Sequence, residues 1–130
     1  MTERPRAVGL VGAGMIAPHH LDALAALPWV RIVGVTDLDR ARAEALAATR
    51  PGTAVHESLA ALCDAGADVI HVLTPPASHV VVALDAVARG CDVLVEKPLA
   101  TDADDCTRLA DAARRQGTRV GVNHSLLCDP

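Results

Sequence analysis

The chain has 130 residues, 51% of them hydrophobic and 22% charged, which suits one globular domain and is too little for two of ordinary size. Twelve Lys and Arg against sixteen Asp and Glu leave a net charge of −4 with no long run of either sign, which excludes the basic footprint of a nucleic-acid binder. No stretch approaches the roughly 18 uncharged apolar residues that a membrane span needs.

Short apolar runs alternate with stretches of helical period from one end of the chain to the other. Strands are predicted over residues 7–11, 31–36, 53–55, 68–73, 92–95 and 119–122. The first helix is predicted over 15–26, with Ile16, His20, Leu24 and Leu27 on one face and Pro18 near its first turn, where a missing N–H is tolerated. Residues 79–89 are ambiguous, because Val80, Val81 and Val82 favour a strand while Val81, Leu84 and Ala88 fit a helical face ended by Gly90; a helix is expected. The last helix is expected to start after Thr101 as N-cap, to carry Cys106, Leu109, Ala110 and Ala113 on one stripe, and to stop at Gly117. Arg4 and Arg6 before the apolar run 7–17 also have the look of a short secretory signal, but removing that run would delete the first strand and the glycine turn behind it.

Strands that read as continuous apolar runs, each followed by a helix, imply a parallel sheet covered on both faces with right-handed crossovers. The expected fold class is α/β: a doubly wound sheet of six strands in the order 3-2-1-4-5-6, built from two βαβαβ halves. With no Phe or Tyr and only Trp29, the core must be filled by Ala, Val and Leu, which lets helix and sheet approach closely. Trp29, between the first helix and the second strand, is assigned to packing. Cys63, Cys91, Cys106 and Cys128 include no Cys-x-x-Cys pair, so reduced, mostly buried thiols and a cytoplasmic location are expected rather than a disulfide framework or a zinc ribbon.

Directly after the first strand comes Gly12-Ala13-Gly14-Met15-Ile16-Ala17, a Gly-x-Gly-x-x-Ala turn opening a helix. Gly12 permits the tight turn, Gly14 lets a pyrophosphate reach the backbone, and Ala17 allows the helix to pack closely on the strand. The first-turn amides, around Met15 and Ile16, then hold phosphates without a basic side chain. Asp37, twenty residues after Ala17 at the end of the second strand, is placed to accept hydrogen bonds from an adenosine ribose. A carboxylate there repels a 2′-phosphate, so NAD is favoured over NADP; Arg40 and Arg42 are read as a solvated helix face, the alternative being that they turn toward a phosphate. A purely structural glycine turn is the competing reading of the motif.

Two further loops fall at the C-terminal ends of strands, the edge at which such sheets bind ligands. Thr74-Pro75-Pro76 with His79 makes a rigid apolar wall at the switch point between the first and fourth predicted strands, and His79 is expected either to cap its helix facing the cofactor or to pack. Glu96-Lys97-Pro98 places the only lysine of a chain with eleven arginines at the mouth of the same crevice. His71, inside a strand, is read as a hydrogen-bonded core residue. The six histidines include no pair at metal-ligand spacing with a carboxylate partner, so no metal site is expected.

The combination of Gly12-x-Gly14-x-x-Ala17, Asp37, Thr74-Pro75-Pro76 with His79, and Glu96-Lys97-Pro98 resembles the Gfo/Idh/MocA family, the relatives of glucose-fructose oxidoreductase and inositol dehydrogenase. The resemblance covers essentially the whole chain and implies a Rossmann fold that binds a nicotinamide dinucleotide. It further implies that Lys97 lies beside nicotinamide and substrate as the catalytic residue, that Glu96 and the Thr74 loop contact the cofactor, and that residues 121–129, with Asn123 and His124, enter the active site. Family members normally continue into a second domain that binds substrate and makes the main oligomer interface. Residues 1–124 are therefore expected to be the dinucleotide-binding domain and 125–130 the start of a connection onward. The function so implied is hydride transfer between nicotinamide and a sugar, polyol or related hydroxyl or carbonyl compound. The alternative is a stand-alone dinucleotide-binding module without turnover, acting in an assembly.

Overall fold

The computed structural model describes residues 4–123. Its strands are β1 (Arg6–Val11), β2 (Val30–Thr36), β3 (Val69–Val72), β4 (Asp92–Glu96) and β5 (Val120–Asn123). Its helices are α1 (Ala17–Ala25), α2 (Arg40–Ala48), α3 (Leu59–Asp64), α4 (His79–Ala88) and α5 (Ala103–Gln116), with a 3₁₀ turn at Pro76–Ser78. The strands form one sheet in the order β2-β1-β3-β4-β5, all pairs parallel. Alternation along each strand divides the apolar side chains between two cores. Ala7, Val11, Ile70, Val72, Val93 and Val95 face α3, α4 and α5, whereas Val8, Leu10 and Val35 face α1 and α2. This is the doubly wound α/β fold, and its largest fully buried side chains are Leu, Ile, Val and one histidine, as the near absence of aromatics requires. Among the described residues no helix is long and apolar enough to cross a membrane.

Five strands are present where six were expected, and the missing one is the segment near residues 53–55. Val8 of β1 pairs with Ile32 and Gly9 with Gly34, so Val33 is an extra residue that bulges β2. Beyond the bulge Gly34 has φ +152°, and a Cβ there would lie 2.6 Å from the Ala54 carbonyl oxygen. The Ala54–His56 backbone thus runs tightly against β2, but it makes only one bridge, Val35 with Val55, held by Val35 N–H to Ala54 O (3.0 Å) and His56 N–H to Val35 O (2.8 Å). It occupies the place of the expected third strand, shortened to a single contact.

Three smaller expectations also shift. Residues 79–88 are helical, but the buried face is His79, Val80, Ala83, Ala86 and Val87, whereas Val81 is 69% exposed. Against the mixed spacing of β-branched residues, the small Ala83 and Ala86 set which side can approach the sheet. The cap of α5 is Asp102, not Thr101: its carboxylate accepts from Asp105 N–H (2.8 Å), and Gly117 at φ 72° ends the helix. Trp29 is 59% exposed in the α1–β2 connection and does not fill the core; its carbonyl accepts from Arg6 N–H (2.8 Å).

Candidate functional site

The C-terminal ends of β1, β2, β3 and β4 bring the glycine turn, Asp37, the Thr74 loop and Glu96-Lys97-Pro98 to one edge of the sheet. Gly12 leaves β1 at φ +107° and donates its N–H to Thr36 O (2.9 Å). A Cβ on it would lie 2.7 Å from the carbonyl carbon and oxygen of Leu73, so only glycine lets the turn pass against the exit of β3. Ala17 is fully buried in the core beneath α1. Gly14 differs from Gly12, because a Cβ on it would meet nothing within 4 Å. No side chain among the described residues caps α1, whose first turn contains Pro18. The turn therefore presents open space over glycine backbone at an uncapped helix start, which fits a dinucleotide pyrophosphate.

Asp37 is fixed by two backbone donors: Oδ2 accepts from Ala13 N–H (2.7 Å), inside the glycine turn, and Oδ1 from Asp39 N–H (2.8 Å). The first of these bonds ties the end of β2 to the loop after β1, a link the sequence did not reveal. Beside it opens a pocket of about 230 Å³ lined by Asp37, Leu38, Arg40, Ala43, Val55 and His56, among others. Leu38 is fully exposed at its rim, and Arg40 donates to Glu44 (2.9 Å) along α2. A larger groove, about 560 Å³, lies at the opposite edge of the sheet. Its charges are already paired, Arg4 with Asp68 (3.0 Å) and Arg6 with Asp92 (2.7 Å), and none of the motif residues line it.

Met15 and Ile16 are exposed at the start of α1, as are Pro75, Pro76 and Lys97 on the other loops. Thr74 is half-buried, its hydroxyl accepting from Ser78 Oγ (2.7 Å). His79 does not face the opening: it is 1% exposed, with Nδ1 2.7 Å from Pro98 O and Nε2 2.6 Å from Thr74 O. Its ring therefore clamps the two loops together from beneath rather than contacting a cofactor. Glu96 turns inward, Oε1 accepting from His20 Nε2 (2.8 Å) and from Asn123 Nδ2 (2.7 Å). Asn123, expected at the cofactor, thus holds Glu96. His124 and residues 125–130 lie outside the described residues.

His20 was not singled out from the sequence as a site residue, although its place on the buried stripe of α1 was the available signal. Its Nδ1 lies 2.8 Å from His71 Nδ1, with the two rings edge to face at 5.0 Å between centroids. Burial, reinforced by His20, pushes the His71 pKa down to about 4, so that ring is neutral near pH 7. Burial raises the Glu96 pKa, but hydrogen bonds from His20, Asn123 and the Lys97 backbone N–H outweigh it and hold the carboxyl below its ordinary value.

Residues 6–124 match the model of the GFO_IDH_MocA oxidoreductase family, NAD-binding Rossmann fold. Inositol 2-dehydrogenase 2 of Saccharopolyspora erythraea is 35% identical over 112 residues, an overlap that takes 85% of this chain and 33% of the relative. The WlbA dehydrogenase from Bordetella pertussis, solved with NADH and UDP-GlcNAcA, superposes with a TM-score of 0.86 at 30% identity, over 95% of this chain and 36% of that one. KijD10, a 3-ketoreductase from Actinomadura kijaniata solved with TDP-benzene and NADP, gives 0.88 at 31% identity, over 98% and 40%. The chain thus spans about a third of the length of the curated relatives it matches. With a glycine turn, a carboxylate fixed by two amides and a Glu-Lys-Pro loop on one edge of a doubly wound sheet, the chain belongs to the Gfo/Idh/MocA family of oxidoreductases, as its NAD(P)-binding Rossmann domain.

Proposed function

We propose that this domain binds NAD in preference to NADP and is the cofactor-holding part of an enzyme that oxidises or reduces a sugar, a polyol or a related hydroxyl or carbonyl compound. What carries the reading is the placement on one edge of the open Gly14 backbone, the Asp37 carboxylate and Lys97. The turn at Gly12, Gly14, Met15 and Ile16 holds the pyrophosphate, Asp37 accepts from the ribose hydroxyls, and the 230 Å³ pocket receives the adenine side. Asp37 supports NAD because its two amide bonds keep a negative charge where a 2′-phosphate would come, and the nearby Arg40 is paired with Glu44. Thr74, Pro75 and Pro76 wall the nicotinamide end, with His79 bracing that wall. The cofactor supplies the hydride acceptor or donor at nicotinamide C4. Lys97, exposed at the crevice mouth, orients the reacting oxygen through Nζ and holds or releases its proton. Glu96 anchors the loop that presents it.

Residues 1–124 form this cofactor domain and 125–130 lead toward the substrate-binding part, in keeping with relatives about three times as long. The dehydrogenase and ketoreductase relatives, one of them solved with a nucleotide sugar, support the substrate class. Calorimetric titration of the chain with NAD⁺ and NADP⁺ tests the cofactor reading. NAD⁺ should bind more tightly than NADP⁺, and Asp37→Ala should weaken NAD⁺ by about tenfold while narrowing the difference. Tighter binding of NADP⁺ would overturn the preference, and binding of neither would overturn the site.

A further inference from the structure

Two buried histidines have no task in holding the dinucleotide. His20 is 8% exposed on the inner face of α1, and His71 is 8% exposed in the middle of β3. Together with Glu96 at the end of β4 and Asn123 at the end of β5, they form a chain of three hydrogen bonds of 2.7–2.8 Å. Four separate elements meet there directly beneath the loop that carries Lys97. Such a network is costly to bury unless each member is satisfied, because an unpaired polar group in a core loses its water without replacement.

The proton count of the network is constrained. Ionised Glu96 only accepts, so His20 Nε2 and Asn123 Nδ2 must both donate to Oε1. Between the two Nδ1 atoms there is room for a single proton: two would clash and none would leave facing lone pairs. Whichever nitrogen carries that proton, the His20 ring is held in one orientation and its Nε2–H stays aimed at Glu96. The tall rings also span the gap between α1 and the sheet, where an aliphatic side chain would fill space but donate nothing.

We propose that His20 and His71 are positioning residues of the lysine end of the site: the pair shares one proton, locks the Glu96 carboxylate, and so fixes the start of the loop in which Lys97 directly follows Glu96. This rests on the reading that the Lys97 end receives nicotinamide, and the test separates the two. In the ¹⁵N-labelled chain without cofactor, a scalar coupling across the hydrogen bond should join His20 Nδ1 to His71 Nδ1. His20→Leu should displace the Lys97 backbone amide and Asn123 side-chain amide resonances, and His20→Gln, which keeps an N–H donor, should bring them back toward their wild-type positions. NADH affinity should fall by about three- to tenfold in His20→Leu and recover in His20→Gln. His71→Val, which suits a strand and removes the Nδ1 partner, should displace the same two resonances and stands in if His20→Leu does not fold. Histidines that only filled the core would lower stability in these variants and leave the Lys97 amide and the affinity in place. That result, or absence of the Nδ1–Nδ1 coupling in the wild type, overturns the proposal. Failure of the wild-type chain to bind NADH overturns the site reading itself, and is seen before any variant enters.

Discussion

Substituting the two glycines of the phosphate turn separately should divide folding from binding. Gly12 sits at φ +107°, where a non-glycine residue costs about 1–3 kcal/mol. Its Cβ would also fall 2.7 Å from the Leu73 carbonyl and 2.9 Å from Thr74 N, backbone atoms that cannot swing aside, adding overpacking of about 1–3 kcal/mol. Gly12→Ala should therefore lose about 2–6 kcal/mol, a large part of the roughly 5–15 kcal/mol that a domain of this size has. Gly14 has no such constraint, and its Cβ would stand in open space, so Gly14→Ala should stay within about 0.5 kcal/mol of the parent. That same methyl would occupy the approach of the pyrophosphate to the backbone, weakening NAD⁺ by about tenfold or more. Equilibrium urea unfolding and calorimetry on both variants measure the two effects. Equal destabilisation by both substitutions, or a Gly14→Ala variant with unchanged NAD⁺ affinity, would refute the assignment of one glycine to the fold and the other to the ligand.

Acid should weaken the fold through His71. Its pKa is pushed down to about 4 in the folded chain, while an unfolded histidine takes up a proton below about 6.5, so between these values the unfolded state binds more protons and stability falls with falling pH. At about 1.4 kcal/mol for each pH unit this is worth about 3 kcal/mol, complete by pH 4. Urea unfolding from pH 7 to pH 4 should show a loss about that much smaller in His71→Val; equal losses would contradict it. Cys91 should resist alkylation, because burial and its hydrogen bond with Cys63 push its pKa to about 12, leaving little thiolate at pH 8. Mass mapping after iodoacetamide treatment should find Cys106 labelled and Cys91 spared until urea is added, and equal labelling rates would contradict the burial.

Periodicity revealed the parts of this molecule that depend on period. Strands whose successive residues are apolar on both faces, such as Ala7, Val8, Leu10 and Val11, must be buried on both sides, and from that the parallel sheet and its helices follow. Local chemistry likewise marked Gly12, Asp37 and Gly117, whose backbone roles are properties of single residues. What stayed hidden depends on neighbours far along the chain. The third strand is reduced to one bridge beside a bulge at Val33 that only pairing with β1 exposes. Capping and packing stayed equally open for His79, because its two carbonyl partners belong to loops five and nineteen residues away. His20 and His71 are 51 residues apart, so the sequence could mark His71 as a hydrogen-bonded core residue and His20 as part of the α1 face without showing that the two meet.

The two edges of the sheet show why the site lies where it does. At the N-terminal edge the carboxylates are absorbed into the fold: Asp68 accepts from Arg4 and from Ala7 N–H, and Asp92 from Arg6 and from Arg119 N–H. These partners satisfy strand starts that would otherwise carry bare donors, and exposed pairs of this kind add little more than about 1 kcal/mol each. At the C-terminal edge Asp37 and Glu96 are also held, but beside open loops: Asp37 by an amide of the glycine turn, and Glu96 by His20 and Asn123 beneath the exposed Lys97. Parallel strands make this asymmetry unavoidable, because the crossover helices start from the same edge and aim their N-termini there, α1 without a side-chain cap. Backbone amides alone can therefore meet an anionic group at that edge, and Lys97, the only lysine in the chain, stands exposed on a neighbouring loop.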